Sequence, residues 1–139
     1  MTRTGPGRPA GPAVAQGRLD NARAFLAAAR DAAMLAEPSG NANPITVQIV
    51  TAAIAYADAL TARFGGRVNQ RDHAALPRAL RAALGNRLPR AQERRLARLL
   101  ERKDEAQYGS RLGSLTEAKS LLAELETFAA WAEATIAVG

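Results

Sequence analysis

Asn43-Pro44-Ile45-Thr46-Val47-Gln48-Ile49-Val50-Thr51-Ala52-Ala53-Ile54-Ala55-Tyr56-Ala57-Asp58-Ala59-Leu60-Thr61-Ala62-Arg63-Phe64 is the stretch on which the fold turns. Ile45, Ile49, Ala52, Tyr56, Leu60 and Phe64 recur at three- and four-residue steps, the period of one helix face. Val47, Val50, Ile54 and Ala57 widen the apolar surface well beyond a single stripe. A helix apolar over so much of its circumference has to be covered by others, so this one is predicted to be central. Asn43 can cap its free amides, Pro44 suits its first turn, and Gly65-Gly66 ends it.

The segments on either side carry the same period. Upstream, Leu19, Ala22, Phe25 or Leu26, Ala29 and Ala33 predict a first helix over about 18–37, stopped by Pro38-Ser39-Gly40-Asn41. Downstream, Leu76, Leu80 and Leu84 predict a short third helix, with Asp72 as its cap and Pro77 near its first turn. Pro89 opens a fourth, in which Leu96, Leu99 and Leu100 face inward and Arg94, Arg95, Arg98 and Arg102 cover the rest. Ser114-Leu115-Thr116-Glu117 is a capping box that starts the last helix, striped by Leu115, Ala118, Leu122, Leu125, Ala129, Ala132 and Ile136. No stretch alternates apolar and polar residues as a strand would. The expectation is an all-α chain, a four-helix up-and-down bundle with an additional short helix over residues 18–139. Residues 1–17, with Pro6, Pro9 and Pro12 and no apolar period, are expected to be a disordered basic tail. Gly7-Arg8-Pro9 has only a faint likeness to a minor-groove hook.

Composition narrows the chemistry. A chain of 139 residues suits one domain. Without cysteine there is no disulfide, no thiolate nucleophile and no cysteine zinc site, and one histidine argues against a histidine metal centre. No metal and no cofactor are expected. Neither a signal-peptide run nor a membrane span is read, and the expected location is the cytoplasm. Charge is concentrated in the middle: 13 basic residues against 5 acidic ones over 63–111, a net +8, within a chain of net +6. Such a block attracts phosphates, and a solvated arginine-rich helix face explains it equally well.

Three places resemble the HEPN superfamily: Ala53-Ile54-Ala55-Tyr56-Ala57-Asp58-Ala59-Leu60, the Asp72-His73 step, and Lys103-Asp104-Glu105-Ala106-Gln107-Tyr108-Gly109. The resemblance covers roughly 19–136. It implies a small helical domain associated with nucleotide binding and RNA cleavage, acting as a homodimer. Many HEPN proteins place a histidine a few residues after an arginine in the last of these runs. Here Arg102 is followed by Ala106, Gln107 and Tyr108, so the chain looks closer to the branches that end the helix in an Ala-Asp-Tyr-like group.

The departure matters because cleavage through the 2′-hydroxyl needs proton transfer near neutral pH, which histidine is poised to provide. His73 is the one candidate catalytic residue, and Arg67, six positions before it, matches the family spacing in the wrong part of the chain. The leading reading is therefore noncatalytic binding of RNA or nucleotide phosphates by Arg94, Arg95, Arg98, Arg102 and Lys103. Asp58, on an otherwise apolar helix, is expected to meet Arg102 or Lys103 across the bundle, forming a polar cluster with Asp104 and Tyr108. One alternative is a metal-independent endoribonuclease or toxin, with His73 as base and Arg67, Arg71 or Arg102 stabilising the phosphate. Another is a structural or regulatory module whose basic helix faces an acidic protein partner.

Overall fold

The computed structural model describes residues 7–69 and 72–139, and the chain is mostly helical. Helix α1 is Pro12–Leu35, α2 Asn43–Gly65, α3 Leu76–Leu84, α4 Arg90–Glu101, α5 Lys103–Tyr108 and α6 Leu115–Val138. Single 3-10 turns cover His73–Ala75 and Gly85–Arg87. A two-stranded antiparallel sheet, β1 Gly7–Pro9 with β2 Arg67–Asn69, completes the described residues.

Helix α2 is the centre, packing against α1, α3, α4, α5 and α6. Ala52, Ala53 and Ala57 are fully buried beside Ile49, Tyr56 and Leu60. Small side chains let several helices approach one axis closely, which a leucine-rich helix would prevent. By length and composition α2 could cross a bilayer, but 78% of its most apolar window is buried inside the protein, as in a core helix. Helix α1 lays Leu19, Ala22, Leu26, Ala29 and Ala33 against it, and α6 contributes Leu125, Phe128, Ala129 and Ala132.

Several boundaries depart from expectation. Helix α1 starts at Pro12, not near residue 18, and Gly7–Pro9 is a strand, so residues 7–17 belong to the folded part; residues 1–6 of the expected tail lie outside the described residues. The cause is a small second core: Ala15, Ala62 and Val68 are buried together, with Ala10 and Val14 against them. Register pairs Arg8 with Val68 and Pro9 with Arg67, and Ala10 N–H donates to Gly66 O at 2.9 Å. The missing period was no guide, because three-residue strands are too short to show one.

Expected caps also moved. Asn41 Oδ1 accepts from Asn43 N–H, while Asn43 sends its own side chain to Arg111 O and Gly113 N, tying the start of α2 to the loop before α6. Asp72 precedes the 3-10 turn without a side-chain capping bond. The fourth predicted helix breaks at Arg102, so Lys103–Tyr108 is a separate short helix packed on α2. The capping box is present as read: Glu117 N–H donates to Ser114 Oγ at 3.1 Å, and Ser114 N–H donates to Glu117 Oε1 at 3.1 Å.

Candidate functional site

The α4–α5 corner faces the 3-10 turn that precedes α3, and between them lies a cleft of about 540 Å³. Ala74, Pro77, Ala97 and Leu100 form its apolar walls; His73, Lys103, Glu101 and Asp104 supply its charged and polar groups. Its volume falls within the range of small-molecule sites. Burial lowers the His73 imidazole below its ordinary value, and the positive charges of Lys103 and Arg18 push the same way, against Asp72. The shift favours the neutral imidazole.

Asp58 is 2% exposed, and its nearest cation is Arg18 of α1, Nη1 to Oδ2 at 3.8 Å. The expected meeting with Arg102 or Lys103 does not occur: Asp58 pairs across α1–α2, because α1 begins early enough to bring Arg18 over the inward face of α2. Its Oδ1 has no hydrogen-bond partner among the described residues, and burial pushes the carboxyl up to about 7, partly offset by Arg18. Tyr108 is 78% exposed, and neither joins a polar cluster nor anchors the helix end. Asp104 is exposed and lines the cleft. Asp58 thus stands apart from the rest of the expected polar cluster, while Lys103 and Asp104 line the cleft together.

On α4 the arginines divide. Arg95 Nε donates to Glu124 Oε1 at 3.1 Å and Arg98 Nη2 to the same oxygen at 2.8 Å, fastening α4 to α6. Arg102 lies 3.7 Å from Glu117. Arg81 of α3 pairs with Glu93 at 2.6 Å. Arg90 and Arg94 are exposed and, among the described residues, have no carboxylate partner. The carboxylates of α6 that neutralise part of this face lie fifteen or more residues away along the chain and give no local signal. Arg67 lies on β2, and Arg71 lies outside the described residues.

A third polar site was missed. Tyr56 Oη, in the core, donates to Glu133 Oε2 at 3.1 Å, and Arg23 Nη2 reaches Glu133 Oε1 at 2.7 Å. Burial and the Glu133 charge push the Tyr56 hydroxyl up to about 12. Together with Arg30–Glu126 at 2.7 Å, these bonds clamp α1 to α6. No group of three or more metal-ligating side chains is found among the described residues. Compared with protein-family models the chain matches none, and a search of curated proteins returns no match.

Proposed function

We propose that this chain is a HEPN-like helical bundle that binds RNA or nucleotide phosphates along the outer edge of α4, without cleaving them. The observation that carries the reading is the pair Arg90 and Arg94, one turn apart, exposed and unmatched by carboxylates among the described residues. Their neighbours Arg95 and Arg98 are held by Glu124, so the helix presenting the free pair is fixed in place. Exposed cations on a rigid helix gain from counterion release when they meet a phosphate backbone. The test is fluorescence anisotropy of labelled single-stranded RNA across a salt series. Arg94→Gln is expected to weaken binding several-fold and to flatten the logarithmic salt slope by about 0.7 per lost phosphate contact. Salt-independent binding, or none, would sink the reading.

A second reading, a metal-independent endoribonuclease, is supported by His73, whose value burial lowers, lining one cleft with Lys103. In that reading His73 takes the proton of the 2′-hydroxyl and Lys103 stabilises charge developing on the phosphate. It requires cleavage in EDTA that His73→Ala abolishes while leaving binding intact; uncut RNA after prolonged incubation with the wild type rejects it.

A further inference from the structure

Two guanidinium groups meet at one aromatic ring where α2 ends. The Cζ of Arg87 lies 4.6 Å from the centroid of Phe64, and that of Arg63 lies 5.2 Å from it, both within cation–π range. The local sequence explains the meeting. Gly65 carries no side chain, and a Cβ there would stand 3.0 Å from the Cβ of Ala83, so α3 closes directly on the last turn of α2. That close approach brings the 3-10 turn Gly85–Arg87, at the far end of α3, over the ring.

Arg63 alone would be unremarkable, since a cation suits the negative end of a helix. Arg87 comes from a different element, and bringing it to the same ring sets two like charges near each other. Both side chains are exposed, and neither has a carboxylate partner among the described residues. A guanidinium carries its N–H donors along its edge, and two of them side by side can take an oxyanion in parallel hydrogen bonds. An anion bridging the pair also relieves their repulsion. Arg90 and Arg94 follow at the start of α4, so the pair stands at one end of the stripe assigned above to phosphate binding.

We propose that Arg63 and Arg87, gathered on Phe64, form a phosphate clasp that seats one phosphodiester of an RNA strand running on along Arg90 and Arg94. The proposal rests on the reading of α4 as an RNA-binding edge, and its test separates the two. Anisotropy with short single-stranded RNA would compare wild type, Phe64→Leu, Arg87→Gln and Arg94→Gln over a salt series, with thermal unfolding of each to confirm folding. In parallel, the Arg Nε–Hε resonances of the wild type would be followed by NMR during titration with tripolyphosphate.

Expected are a several-fold loss of affinity in Arg87→Gln with a salt slope reduced by about 0.7, and a roughly threefold loss in Phe64→Leu, which keeps every charge and replaces the aromatic platform by an aliphatic side chain. Should both variants bind like wild type while Arg94→Gln is weakened, the clasp is overturned and the α4 reading stands. Should the wild type bind no RNA while tripolyphosphate still shifts Arg63 and Arg87, the α4 reading falls and the clasp remains as a site for a free phosphate. Absence of both responses overturns the clasp, as does polyglutamate binding as tightly as RNA, which would assign the surface to an acidic protein.

Discussion

Asp58 holds a carboxylate 2% exposed with, among the described residues, one cation 3.8 Å away and one oxygen unpartnered, an arrangement that favours the protonated form. Its native value of about 7, against an ordinary 3.8, means that between those limits the folded state holds a proton the unfolded chain has released. Stability therefore falls as pH rises from about 4 to about 7, by at most about 4 kcal/mol at 1.36 kcal/mol per unit. His73 acts with the opposite sign: with its folded value lowered, it favours the native state as pH rises through its ordinary range. Urea denaturation of Asp58→Asn at several pH values should remove the fall and leave a profile that rises with pH. A variant profile parallel to wild type would show that Asp58 is ionised throughout. The oddity of Asp58 was legible in the sequence, as one acid among apolar positions. Its partner was not, because Arg18 is forty residues away.

Helix ends set the path of the chain, and two glycines illustrate how backbone conformation decides the sign of one substitution. Gly66 closes α2 at φ 68 in the left-handed region and returns its N–H to Ala62 O. Gly17 lies inside α1 with open space where a Cβ would go. Gly66→Ala should destabilise by about 1 kcal/mol because an L side chain is strained there. Gly17→Ala should stabilise by about 0.5–1 kcal/mol, since glycine loses the most backbone freedom on entering a helix. Shifts of the urea midpoint in the same direction for both would contradict the assigned conformations. The stop at Gly65-Gly66 and the Ser114–Glu117 box were readable because caps act within a few residues. The break at Arg102 was not, since α5 turns away to pack on α2, a contact made across the fold.

Across the whole molecule the alanines of α2 carry the packing. Ala53 is fully buried with helices around it, so Ala53→Leu adds volume where no space exists and should cost about 1–3 kcal/mol. The measurement is the urea midpoint with the slope m unchanged; a neutral result would mean that the neighbours of α2 can yield. The amino-acid sequence by itself determined the all-α class, the central place of α2, the core stripes of α1 and α6 and the capping box, because helical period and caps are written in residues a turn apart. The tertiary structure alone decided that residues 7–17 fold back onto β2, that Arg18 meets Asp58, and that Glu124 claims Arg95 and Arg98 while Arg90 and Arg94 have no carboxylate partner among the described residues. Those outcomes depend on which charged side chains from distant segments come within reach once the apolar faces have closed, and no local pattern encodes that distance.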